Sequence, residues 1–324
     1  MVLMLILSGC GEKEVDESKE KPQTPQNLPI VEDGTEQQLD KEAELVEPQL
    51  PGAVLVMVDN YVKARPQSGL DKADIVYEII AESGITRYMA LYYTNAVEKI
   101  GPIRSARYYF AQLAKGYNAP LAHAGGSEEA LNLIAQIRLK DLDEIYNSGS
   151  YFWRDKSRSM PHNLYSSTDE LLKGAKKRGY DLEVPFQQPV ETVWEGTPYK
   201  EDIFLDYSVG KYKYKVKWHF NGGKYERMIN DKPHQMIDGS KITADNVIVM
   251  VTKIGTHVKN DIPLSDVKII GKGETEYFIN GKNTKGYWEK ESMNTPLKFY
   301  DNKEGLMKLK KGTTWVQVVS KRNY

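Results

Sequence analysis

Seven of the chain's ten arginines lie between residues 65 and 158, accompanied there by five lysines; elsewhere three arginines face 29 lysines. A chain that otherwise takes its cationic surface from lysine uses guanidinium here. The planar fork of arginine grips carboxylate or phosphate through paired N–H bonds, which a lysine ammonium cannot do. Arg65, Arg87, Arg104, Arg107, Arg154 and Arg158 are therefore candidate anion ligands, while Arg138, on an amphipathic helical pattern, reads as surface. Glu78, Glu82, Asp74 and Asp155 share the segment, so internal ion-pair networks compete with an anion pocket for these arginines.

Two histidines accompany them. His123 sits in APLAHAGGSEEAL, where a strand runs through Gly125-Gly126 into a helix starting at or near Ser127, whose first backbone donors could accept an anion. His162 and Asn163 lie in FWRDKSRSMPHNLY, a loop of aromatic, cationic, imidazole and amide groups of the kind that lines sites. Each histidine is a candidate acid-base, set against the commoner role of a hydrogen-bonded structural residue. No Gly-x-Ser-x-Gly elbow or His-Glu-x-x-His pair occurs, so neither that nucleophile nor a metal centre is expected, and no cofactor either. Ser265 and Lys268 have Ser-x-x-Lys spacing but lie in a β-rich stretch with the partner motif inverted. No nucleic-acid motif is present.

The elements that would hold these groups fall into two kinds. Within residues 51–185, VLVMVD (54–59) and IVYEIIA (75–81) read as strands, and SARYYFAQLAKG, SEEALNLIAQI and STDELLKGAKKRG as helices, with caps at Ser127 and Ser167. That mixture predicts an α/β or α+β domain, a sheet covered by helices. Residues 186–324 turn to short β-branched and aromatic runs broken by Asn221-Gly222-Gly223 and Asn280-Gly281, which predicts a mainly antiparallel β domain. The two segments are expected to be separately compact, with a protease-sensitive stretch at 185–200. A two-residue turn at Ser83-Gly84 would set Ile80 opposite Arg87 and place Glu78, Glu82 and Arg87 on one face.

At the start of the chain, VLMLIL leads into Leu7-Ser8-Gly9-Cys10, the lipobox pattern at which a cysteine is acylated. Residues 1–10 read as a truncated lipoprotein signal peptide without its charged n-region. Cys10 is the sole cysteine, which excludes an internal disulfide and, once acylated, thiol catalysis. Residues 11–50 carry twelve acidic and four basic side chains. They read as a disordered acidic tether of about 35 Å. Removing that −8 from the whole chain's −1 leaves +7 on residues 51–324, a basic body beside an anionic envelope.

The runs ARPQSGLDKADIVYEIIAESGITRYMALY, IGPIRSARYYF, HAGGS, FWRD, PHNLY and PHQMIDGSKITADNVIVM resemble the YerB family of lipoproteins from Gram-positive bacteria, over nearly all of residues 51–320. The resemblance implies a two-domain body and an envelope address, and carries no settled activity. Its pattern falls on Arg65, Glu78, Arg87, Arg104, Arg107, His123, Arg154, Asp155, Pro161, His162 and Asn163. The functional expectation is an accessory protein, lipid-anchored through Cys10 to the outer face of the cytoplasmic membrane. It would bind an anionic ligand, peptidoglycan or a wall-synthesis protein. The alternative is a hydrolase or transferase of anionic glycans or phosphate esters, with His123 or His162 as general acid-base.

Overall fold

The computed structural model describes residues 50–182, 189–190, 196–199, 201–259 and 261–324. Strand β1 (Val54–Asp59) is apolar at five successive positions. An unbroken run of this kind suits a strand covered on both faces. Leu55 and Met57 pack in one core and Val54, Val56 and Val58 in another. The first core is closed by helices α1 (Tyr108–Tyr117) and α2 (Glu128–Gln136), which contribute Tyr109, Phe110, Leu113 and Ile134. The second is closed by α3 (Thr168–Lys177), through Leu171, Leu172 and Ala175, and by a smaller sheet carrying Trp218 and Tyr225. Both expected serine caps form: Ser127 Oγ accepts from the Ala130 N–H at 3.3 Å and Ser167 Oγ from the Glu170 N–H at 3.1 Å.

Strands β2 (Ile75–Glu82) and β3 (Ile85–Tyr92) form a hairpin whose turn residues Ser83 and Gly84 both have positive φ, at 48° and 84°. That is the primed turn the sequence signals. The register is not the expected one. Ile79, not Ile80, faces Arg87, and the ladder shifts between Ile80 and Glu82. The bulge inserts one residue, so Glu82 returns to the Arg87 face while Glu78, opposite Tyr88, points to the other side of the sheet.

Further along the chain come β4 (Leu121–His123) and β5 (Asp141–Asp143). A hairpin follows, of β6 (Lys215–Asn221) and β7 (Lys224–Ile229). The last strands are β8 (Asn246–Val251), β9 (Gly271–Ile279), β10 (Lys282–Lys290), β11 (Lys298–Asp301) and β12 (Thr314–Val319). Among the described residues the large sheet runs β11-β10-β9-β8-β12-β2-β3-β1-β4-β5. Its β1-β4-β5 portion is parallel and the β8-β9-β10-β11 portion antiparallel. The α/β character of the first segment and the antiparallel β character of the second are thus present. They meet inside one sheet, because β12 pairs parallel with β2 on one side and with β8 on the other. The described residues from 50 to 324 belong to one compact unit. The stretch expected to be protease-sensitive lies largely outside the described residues.

Candidate functional site

In a sheet with parallel strands, the loops that leave the strands' carboxyl ends are where ligands are usually met. Here β1 ends on Asp59, β4 on His123 and β5 on Asp143 along one edge. The β2–β3 turn reaches the same edge, since Asp59 pairs with Arg87. A cavity of about 200 Å³ opens there, lined by Asp59, Tyr61, Glu82, Ile85, Arg87, Arg104 and His162.

Two carboxylates organise it. Asp59 is buried; its Oδ1 accepts from the Tyr61 N–H at 2.9 Å, and its Oδ2 lies 2.7 Å from His162 Nδ1 and 3.3 Å from Arg104 Nε. Tyr61 stacks on the imidazole with ring centroids 5.4 Å apart. Glu82 meets Arg87 at 3.2 Å and Arg107 in a short ion pair. Both guanidinium groups also donate to the segment before α1: Arg87 to the Ser105 carbonyl at 2.8 Å, and Arg107 to Ser105 Oγ at 3.1 Å and the Ala106 carbonyl at 3.0 Å.

The electrostatics follow from this count of charges. Three guanidinium groups against two carboxylates leave one positive charge before His162 is considered. Burial raises the Glu82 carboxyl, but Arg87 and Arg107 outweigh it and hold the group below the usual carboxylate range. Arg87 is pushed down to about 10, first by burial and then by the neighbouring Arg107, with Glu82 and Asp59 opposing. Among the described residues its Nε has no hydrogen-bond partner, nor has that of Arg107. Arg104 commits only its Nε to Asp59, and its terminal nitrogens carry no hydrogen bond among the described residues. Its side chain is 31% exposed, so that fork is available to an incoming anion.

Of the residues anticipated from sequence, the fold brings together Arg87, Arg104, Arg107 and His162. The others are engaged elsewhere. His123 is fully buried, with Nε2 at 2.6 Å from Asp141 and Nδ1 at 2.8 Å from the Gly125 carbonyl. Burial pulls its pKa down, but the hydrogen bond and charge of Asp141, with Asp143, hold it above the ordinary value. Ser127 caps its helix. Arg65 binds Asn60 and lies 4.9 Å over the Tyr214 ring. Arg154 joins Asn163 to Glu144, Asp155 pairs with Lys99 at 2.6 Å, and Arg158 donates to the Pro66 and Lys63 carbonyls. Glu78 is buried against Arg227 at 2.6 Å. Sequence reasoning missed Asp59 and Tyr61; the available signal was an acid ending a buried strand, followed directly by Asn60-Tyr61.

Comparisons with known proteins agree with this architecture. Two family models match, the Protein of unknown function (DUF3048) N-terminal domain over residues 41–181 and its C-terminal domain over residues 203–316. The chain is 29% identical over 275 residues to "Putative lipoprotein YerB" of Bacillus subtilis (strain 168), covering 82% of this chain and 80% of that protein. It also matches the crystal structure of the YerB protein from Bacillus subtilis with a TM-score of 0.73 at 28% identity, over 83% of this chain and 90% of that one.

Proposed function

Since the chain belongs to the DUF3048 family and carries both of its domains in order, we propose that it is a lipid-anchored envelope protein that binds an anionic group at the Asp59–Arg104 cleft. It acts as an accessory binding factor for an anionic wall component or a wall-synthesis partner. The observation that carries the reading is Arg104: fixed by Asp59 through Nε, it presents its remaining nitrogens beside Arg87 in a cavity with surplus positive charge. A cavity of about 200 Å³ is below the usual range for a whole small molecule and suits a phosphate or carboxylate head group.

The test is Arg104→Lys, which keeps the charge and removes the fork. Calorimetric titration with inorganic phosphate and with soluble anionic peptidoglycan fragments is expected to show binding roughly tenfold or more weaker in the variant, about 1.4 kcal/mol. The thermal midpoint should barely move. Undiminished binding in the variant, or a lost midpoint with no ligand for the native protein, would defeat the reading.

The envelope address rests on Leu7-Ser8-Gly9-Cys10 and on the similar Bacillus subtilis protein's name. Cys10 lies outside the described residues, and among those described no helix is long and apolar enough to cross a membrane. Cys10→Ser is expected to move the protein from the membrane fraction to the soluble fraction on ultracentrifugation without lowering its melting temperature. Detergent-dependent extraction that persists in the variant contradicts an anchor at this residue.

One observation favours the enzymatic alternative. Asp59 holds His162 through Nδ1, leaving Nε2 without a hydrogen bond among the described residues, the arrangement that orients a general base. Turnover of a phosphate ester or glycan that vanishes in His162→Gln, where binding persists, would establish that reading over the accessory one.

A further inference from the structure

The second segment carries a groove of its own, about 600 Å³, on the far part of the large sheet. Four chain segments shape it: the exit from β8, the entry to β9, Trp288 of β10 and the stretch after β12. They are tied together by hydrogen bonds to main-chain carbonyls. The Thr252 N–H donates to the Val319 carbonyl at 2.8 Å, Thr252 Oγ1 to the Lys268 carbonyl at 2.6 Å and the Lys268 N–H to the Lys253 carbonyl at 3.0 Å. Trp288 Nε1 donates to the Val251 carbonyl at 2.8 Å. Gly273 lets these approach, since a Cβ there would stand 2.5 Å from Trp288 Nε1 and 2.7 Å from the Val251 oxygen.

The groove's lining is chemically divided. Val251 and Ile254 supply apolar surface, with the buried Trp288 packed behind them. Around them stand Lys253, Lys268, Lys272, Lys321 and Arg322, against the single carboxylate of Glu274. Lys321 takes that carboxylate at 3.2 Å, and the Lys272 ammonium lies 3.6 Å from the Tyr287 ring centroid. Among the described residues the side chains of Lys253, Lys268 and Arg322 have no acid or hydrogen-bond partner. Like charges held around one concavity repel, and an anion placed among them relieves that repulsion while gaining from it.

We propose that this groove is a second ligand site that takes an anionic amphiphile: an alkyl phosphate or a fatty carboxylate whose apolar arm lies along Val251 and Ile254 while its charged end meets the lysines. A volume of about 600 Å³ accommodates a molecule of that size, unlike the small cleft at Asp59, with which the groove shares no residue. The inference therefore stands or falls separately from the reading of that cleft.

The probe is decyl phosphate below its micellar concentration, titrated into the full chain carrying Cys10→Ser and followed by calorimetry. Saturable binding is expected, weakened roughly tenfold or more in the double variant Lys268→Gln/Lys272→Gln and in Thr252→Trp, which fills the groove. In the chain that also carries Arg104→Lys, which weakens the Asp59 cleft, inorganic phosphate, lacking the apolar arm, is expected to bind roughly tenfold or more weakly than decyl phosphate. Co-sedimentation with phosphatidylglycerol vesicles that is lost in the double variant identifies a bilayer lipid as the source. Binding of decyl phosphate without co-sedimentation identifies a free amphiphile. Equal affinity in native protein and both variants, or inorganic phosphate matching decyl phosphate in the Arg104→Lys chain, overturns the proposal.

Discussion

Replacing Arg227 by Met is expected to cost about 3–5 kcal/mol of stability, because it strands the Glu78 carboxylate in a site that water does not reach. Both side chains are fully buried and meet at 2.6 Å. Arg227 also donates to Tyr214 Oη at 3.0 Å and to His234 Nδ1 at 2.8 Å, and its guanidinium lies 4.7 Å from the Trp315 ring centroid. Burial opposes its charge, yet Glu78 outweighs that and raises it well above the ordinary value. His234 moves the other way, lowered by burial and then by Arg227 and Arg65. It is therefore neutral, accepting at Nδ1 and donating from Nε2 to Gln67 Oε1 at 2.9 Å. In a body of this size each kcal/mol shifts Tm by roughly 2–4 °C, so a fall of roughly 10 °C is the expected reading by calorimetry. Adding Glu78→Gln to Arg227→Met should recover part of the loss, since no charge is then left unpaired and the amide oxygen can still accept from Tyr214. A single variant that loses under about 1 kcal/mol would show that water reaches the pair.

That network also shows what the sequence could not announce. Local signals worked where local physics decides: the apolar run at 54–59, the serines that cap α2 and α3, and the turns at Gly222-Gly223 and Asn280-Gly281, where both central residues adopt positive φ. The arginine excess pointed to Arg87, Arg104 and Arg107, and the FWRDKSRSMPHNLY loop to His162, and these four do converge. The excess could not sort them from Arg154 or Arg158, because a guanidinium spent on internal acceptors looks the same in sequence as one aimed at a cavity. Glu78 and Glu82 illustrate the harder limit. Four residues apart on one strand, they would share a face in an unbroken ladder, and a single bulge sends them to opposite sides. Arg227, some 150 positions from Glu78, has no local signal for its partner at all: alternation in KYERMI sets it on the buried face with Tyr225 and Ile229 but does not say which acid it meets there.

Residues 51–185 produced alone are expected not to fold, and to recover a native structure when produced together with residues 186–324. The reason is the position of β12, whose six residues are all buried and which pairs with β2 from Ile75–Thr314 to Ile79–Val318. Take the second segment away and β2 becomes an edge. Val76 and Tyr77, now fully buried, then meet water, and Glu78 loses Arg227, Tyr214 and Gln317 together. The loss extends beyond that edge, because Val54, Val56 and Tyr88 of the first segment share one core with Trp218, Tyr225 and Trp315 of the second. Uncovering several such side chains at about 1.5–3 kcal/mol each exceeds what a domain of this size keeps in reserve. The fragment should bind a hydrophobic dye and melt without a cooperative transition, and equimolar production of both fragments should restore one. A fragment 51–185 that melts cooperatively alone would show that its sheet closes without β12, and that the two matched domains are autonomous folds joined by a dispensable contact.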